Sequence, residues 1–319
     1  MAGWCSLRSR ALPTCLIPSF ALGLIAVLHF VTPREIAYAQ ELEPRAFANT
    51  PVGMNFMIGA YAYSEGTAGT DPSVPITDTE VKLHSAVLGY VRTLDLWGRS
   101  GKVDVIVPYT WASGSAKLAG QARSREVSGF GDPKLRVSML FYGAPALSLD
   151  EFRDYKPDII IGGSLEITPP LGQYDSDKLL NIGANRWSFK PEVGISKTLG
   201  PLILELTTGV RFYTDNNNFL DGKTLQVKPL YSVQGHLIYS ITPGIWLGLN
   251  GLYYAGGRGI IDGKKGESLE NARVGITLAL PVNRYNSIKL YGNRGVYTKT
   301  GSDFDQVGIA WQLRWGGGL

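Results

Sequence analysis

Along most of this chain, apolar and polar residues alternate one for one. In residues 102–111, Val103, Val105, Val107, Tyr109 and Trp111 share one face, and Lys102, Asp104 and Thr110 share the other. Residues 186–196 set Trp187, Phe189, Val193 and Ile195 against Arg186, Lys190 and Glu192. Residues 202–214 set Leu202, Leu204, Leu206, Val210 and Phe212 against Glu205 and Arg211. In 271–280, Ala272, Val274, Ile276, Leu278 and Leu280 oppose Asn271, Arg273 and Thr277, and the last run repeats the pattern with Val307, Ile309, Trp311, Leu313 and Trp315. A repeat of 180° per residue belongs to strands with one apolar and one polar face. Twelve such segments begin near residues 54, 81, 102, 130, 158, 186, 202, 225, 245, 269, 287 and 305.

The connections carry a second pattern. Long polar gaps (64–80, 112–127, 169–185, 214–224, 256–268) alternate with tight ones (94–101, 198–201, 240–244, 281–286). That is the signature of an antiparallel up-and-down barrel with long loops at one end and short turns at the other. Two gaps break the rule: 142–157 is long where a short turn is due, and the outer loop near 299–303 is brief. The uncharged run 229–257 contains Thr242-Pro243-Gly244 at its middle and alternates on both sides, so it reads as a hairpin and not as a membrane helix.

The identity of the outer solvent follows from the faces. A soluble barrel puts its apolar side chains inward; here the polar face is heavily charged, which suits a wet lumen and a lipid exterior. The strands are also longer than the roughly 5–6 residues common in soluble sheets and match the roughly 9–11 of a tilted membrane strand. Tyr61, Tyr63, Tyr109, Trp111, Tyr213, Tyr253, Tyr254 and Trp315 fall near strand ends, where interfacial aromatic girdles sit. The fold expected is an all-β transmembrane β-barrel, closed because an open edge would leave backbone groups unpaired in hydrocarbon. Pro108, Pro191 and Pro229 lie in predicted strands and mark bulges or strand ends.

Composition agrees. Only 18% of the 319 residues are charged and 44% are apolar, with 39 Gly and 16 Tyr, and the net charge of +4 is dispersed, which sets nucleic acid aside. Arg8 and Arg10 precede the apolar stretch 21–31, and Ala37-Tyr38-Ala39 follows as a small-x-small cleavage pattern, so residues 1–39 read as a cleaved signal peptide. Both cysteines, Cys5 and Cys15, lie in that leader, which leaves no thiol chemistry and no disulfide for the rest. Residues 40–53 are then an N-terminal periplasmic segment and 54–319 the barrel, in the outer membrane with the lipid bilayer and a small-molecule solute as partners.

On the polar face, Glu166, Arg186, Lys190, Glu192, Glu205, Arg211, Gln234, His236 and Arg273 are the candidate pore-lining residues. Fixed charges of mixed sign can set which solutes pass, and they can equally pair across strands. Arg186, Lys190 and Arg211 form a candidate anion-attracting stripe. The outer loop 168–187 could fold inward and gate the pore. Asp71/Asp78 and Asp175/Asp177 lack calcium-loop spacing, so neither metal nor cofactor is expected.

Several stretches together resemble the outer-membrane family of the meta-pathway of phenol degradation: 45–56 (RAFANTPVGMNF), 169–175 (PPLGQYD), 181–196 (NIGANRWSFKPEVGIS), 214–219 (TDNNNF), 234–240 (QGHLIYS), 253–263 (YYAGGRGIIDG), 271–281 (NARVGITLALP) and 295–305 (GVYTKTGSDFD). The resemblance implies a barrel that passes small molecules, aromatic compounds among them. The polar lumen read from the strands suits small polar or anionic solutes as well. Gln306, Gly308, Trp311 and Leu313 are similar to the C-terminal targeting signal of such barrels, although the chain ends in Gly316-Gly317-Gly318-Leu319. The expected function is therefore a channel or transporter and not an enzyme. The rival readings are a lipid-modifying barrel enzyme, whose His would have to be His84 or His236, and a structural barrel with a plugged lumen.

Overall fold

The structure is a computed structural model that describes residues 42–67, 76–118, 121–178, 180–220, 222–300 and 303–319. The signal peptide expected over 1–39 lies outside the described residues, as do Asp71 and the turn at 301–302. Twelve antiparallel strands close into a barrel: β1 Met54–Thr67, β2 Ile76–Leu96, β3 Arg99–Leu118, β4 in two parts (Gln121–Phe130 and Lys134–Tyr142), β5 Ile159–Thr168, β6 Ser188–Leu199, β7 Leu202–Tyr213, β8 Leu230–Thr242, β9 Ile245–Gly256, β10 Leu269–Pro281, β11 Asn286–Thr300 and β12 Asp303–Gly316. Each strand pairs with its neighbour in sequence, and β12 returns to β1, with Met54 opposite Gly316 and Thr67 opposite Asp303.

Period two sets the two faces. Along β6, Ser188, Glu192 and Ser196 are buried on the inner side while Phe189, Val193 and Ile195 are exposed on the outer. Val105, Trp111, Leu204, Leu206, Phe212, Val274, Ile276, Val307, Ile309 and Trp311 are likewise exposed. Apolar side chains around the whole outer wall and carboxylates inside are stable only with lipid outside. Tyr61, Trp111, Tyr253 and Trp315 point outward as girdle residues should, but Tyr254 is 4% exposed and faces the lumen, as does Tyr213. Parity decides it: Tyr254 is one residue on from outward-facing Tyr253.

Short turns gather at one end, the periplasmic end in barrels of this build. Between β2 and β3, Trp97 and Gly98 take φ of 55° and 76°, the two-residue hairpin turn whose twist matches its strands. The long 143–158 connection at this end holds one helical turn, Leu149–Phe152, started by a capping box between Ser148 and Glu151.

Several gaps expected to be loops are structured. Residues 112–118 and 121–130 continue the β3–β4 hairpin, from Tyr109 opposite Phe130 to Leu118 opposite Gln121. Residues 216–219, 223–227, 259–261 and 264–265 form a separate four-stranded sheet. The strands of this sheet are two to five residues long, and the buried Ile260 and Ile261 are adjacent and not alternating, so pairing partners and not a period make them strands. Pro229 sits just before β8 and Pro191 lies where the β6–β7 pairing skips, so neither disrupts a ladder.

Candidate functional site

Residues 42–53, which the sequence places in a periplasmic segment, run inside the barrel. The segment is held at the short-turn end by Thr93 Oγ1, which donates to Pro51 O at 2.6 Å, and by Val52 N–H, which donates to Leu147 O at 2.9 Å. Asn49 Nδ2 donates to Pro145 O at 3.2 Å, so the unexpectedly long 143–158 connection is part of this anchor. Further in, Phe47 packs against Leu140, Ala144 and Ile160. It fits because Gly162 and Gly194 face it: a Cβ on Gly194 would stand 2.3 Å from the Phe47 ring. A strand glycine often marks such a close approach.

Beyond Phe47 the contacts become polar. Lys102 Nζ donates to Ala46 O at 2.5 Å, Arg45 N–H donates to Glu205 Oε2 at 2.6 Å, and the Arg45 guanidinium lies 5.7 Å from the Trp246 ring centre. Glu43 N–H donates to Gln234 Oε1 at 3.3 Å, and the Glu43 carboxylate pairs with Arg136, which also holds Asp104 at 3.1 Å. Leu42 packs on the buried Leu230, Leu252 and Tyr254. The segment threads the lumen because its backbone donors and Glu43 find charged wall partners, and its apolar side chains find pockets.

Above its tip lies a chamber of about 490 Å³, well within the size range of small-molecule sites. Arg186, Lys190 and Arg211 all line it, as do Glu166 and Gln234. Each cation is engaged: Arg211 Nη2 meets Glu166 Oε1 at 2.8 Å and Arg211 Nη1 donates to Ser188 Oγ at 3.0 Å; Lys190 meets Glu192 at 2.7 Å; Arg186 lies 4.8 Å from the Tyr213 ring centre. Pairing across strands thus coexists with the gathered stripe, because a chain that must keep charges in a half-enclosed lumen gains most from placing opposite signs side by side.

The remaining candidates face inward elsewhere. Glu205 takes Arg45 N–H. His236 Nδ1 meets Asn250 Oδ1 at 2.9 Å, and Asn250 Nδ2 donates to Thr277 Oγ1 at 3.0 Å. Arg273, 2% exposed, lies 3.5 Å from the Phe304 ring centre and donates to Phe304 O at 2.8 Å. On the outer surface, His84 Nδ1 meets Tyr61 OH at 2.6 Å. Lys134 and Arg136 join the inner face outside the expected set, although their alternation with exposed Leu135 and Val137 carries the signal. Leu230, Leu252 and Leu269 also face the lumen, which period two does not reveal because apolar residues of a membrane strand are expected toward lipid.

The outer loop 169–187 folds over the chamber. Asp132, in the break between the two parts of β4, accepts Gly172 N–H and Ala184 N–H, both at 2.7 Å, and so straps the loop at two points. Tyr174 OH accepts from Asn216 Nδ2 at 2.9 Å and donates to Asn218 O at 3.1 Å, tying the loop to the small sheet. Asp175 meets Arg125 at 3.4 Å and its N–H donates to Asn181 Oδ1 at 2.9 Å. No group of acidic or histidine side chains suited to a metal ion occurs among the described residues.

Comparison with known proteins agrees with this architecture. An outer-membrane channel from Pseudomonas putida F1 superposes with a TM-score of 0.74 at 20% identity, over 86% of this chain and 100% of that one. The β domain of the Bordetella autotransporter BrkA (TM-score 0.52, 9% identity, 83% and 100% covered) shares the fold. So does the transport unit of the autotransporter AIDA-I from Escherichia coli (0.52, 9%, 86% and 93%). No curated protein matches in sequence. Residues 64–311 match the family described as "Putative MetA-pathway of phenol degradation", and the chain belongs to that family.

Proposed function

We propose that this barrel is an outer-membrane channel for small molecules and that its own N-terminal segment closes it from the periplasmic end. The observation that carries this reading is the 490 Å³ chamber inside the closed wall, with residues 42–48 threaded directly below it. A wall lined by paired charges tolerates water and solutes, and a segment held by hydrogen bonds, one ion pair and the packing of Phe47 and Leu42, with no strand ladder of its own, can leave without unfolding any strand. Transport and not catalysis is the reading supported by the inner side chains: His236 is engaged by Asn250, and Ser232 Oγ points to Gly209 O at 3.5 Å.

Planar-bilayer recording tests it. The intact protein should conduct in brief or small steps, and a variant lacking residues 40–48 should conduct continuously. A barrel that stays silent in both forms is a structural one. Replacing Arg186, Lys190 and Arg211 together by Ala should shift ion selectivity toward cations, because Glu166 and Glu192 then lose these ion-pair partners.

A further inference from the structure

The chamber has two unlike walls. Along β4–β7 it is lined by Lys134, Glu166, Lys190 and Arg211; along β8–β10 it is lined by Leu230, Leu252 and Leu269. The strand order puts these arcs side by side, so a solute can touch both at once. The tip of the N-terminal segment does so already. Glu43 lines the chamber and pairs with Arg136 on β4, while Leu42, its neighbour, packs on the cluster of Leu230, Leu252 and Tyr254. A carboxylate on the charged arc and an apolar side chain on the leucine arc are what the two walls select.

We propose that the chamber binds a small organic anion with an apolar body, and that Leu42 and Glu43 are a tethered competitor for the same two walls. The proposal rests on the channel reading only in requiring that a solute reach the chamber. An anion with no apolar body satisfies the charged arc alone. An apolar cation satisfies the leucine arc but meets more cations than carboxylates in the rest of the lining, where Lys134, Arg186, Lys190 and Arg211 face Glu43, Asp132 and Glu166. Only the combination fills both, and its affinity is what remains after Leu42 and Glu43 have been displaced from the two walls. Displacement links solute binding to release of the segment below, so the solute would favour its own passage.

The probes are hexanoate, acetate and hexylamine, titrated onto the refolded barrel in deuterated detergent and read by saturation-transfer NMR. Each methylene buried on the leucine arc is worth about fourfold in affinity, so hexanoate should bind at least about tenfold more tightly than acetate, and hexylamine should show no saturable binding. Glu43→Gln should lower the half-saturating hexanoate concentration several-fold, because the competitor loses its anchor. Leu252→Ser should remove the advantage of hexanoate over acetate, and the variant's heat-modifiable migration on a gel reports whether it has folded. If it has not, Leu269→Ser carries the same expectation. Equal binding of hexanoate and acetate, or hexanoate binding unchanged by Glu43→Gln, overturns the proposal. Conductance separates the two readings: current without hexanoate preference leaves the channel and removes this site, whereas hexanoate preference in a barrel silent even without residues 40–48 leaves the site and removes the channel.

Discussion

Arg45 N–H donates to Glu205 Oε2 at 2.6 Å, joining residues 160 positions apart across the inside of the barrel. This contact belongs to the segment and not to the wall, because Glu205 sits on a strand whose ladder to β8 is complete without it.

Glu205→Ala should therefore loosen the segment while leaving the barrel intact. A hydrogen bond to a charged group is worth about 1.5–3 kcal/mol, which is a tenfold or greater shift toward the released state. Open-channel lifetime in planar bilayers should rise accordingly. An unchanged lifetime would mean that the segment does not close the pore.

Phe47 and Gly194 make a second handle. Gly194→Leu would fill the space the Phe47 ring occupies, since even a Cβ there approaches it to 2.3 Å. The ring must leave, and residues 42–50 should then exchange amide hydrogen far faster than in the native barrel. Phe47→Ala should have the same effect without adding bulk, losing about 3–5 kcal/mol of local packing. Slow exchange in both variants would show that the polar contacts suffice.

Arg211→Met takes from the Glu166 carboxylate, 4% exposed, the ion pair it makes at 2.8 Å, and leaves Lys134 as the other cation beside it in the chamber wall. Removing one member of a buried pair costs about 3–5 kcal/mol, so the temperature at which the barrel loses its compact gel migration should fall. The double variant Arg211→Met with Glu166→Leu should recover most of it, since the uncompensated charge is gone. A single variant as stable as the native protein would show that Glu166 does not depend on Arg211 for its compensation.

At the short-turn end, the hydrogen bonds of Ser148 Oγ and Ser148 N–H hold the Glu151 carboxyl below its usual range. A depressed carboxyl stabilises the folded turn above its unfolded pKa and loses that contribution as pH falls through the folded value. Amide protection of residues 149–153 should thus weaken in acid. In Glu151→Gln it should be weaker at neutral pH and less dependent on acid. Because Asn49 and Val52 bind this same connection, the segment's anchor should loosen with it.

Strand positions and faces were legible in the linear pattern. Most strands begin within about three residues of where the alternation places them, and Glu166, Lys190, Glu192, Glu205 and Arg273 lie on the inner side because period two ties each to its neighbours. The small outer sheet was not legible, since strands of two to five residues are too short to show a period.

The sequence alone thus determined a closed barrel with lipid outside and charge inside, because alternation is a local property that each strand states for itself. Only the tertiary structure decided what the inside holds. Whether Leu230 faces a solute or a neighbouring leucine, and whether Glu43 meets Arg136 or water, depends on which strands stand opposite after closure. No local period records that choice. Residues 42–48 have no period, yet they find Gly194, Glu205 and Gln234 because the closed wall brings those three distant positions to one line.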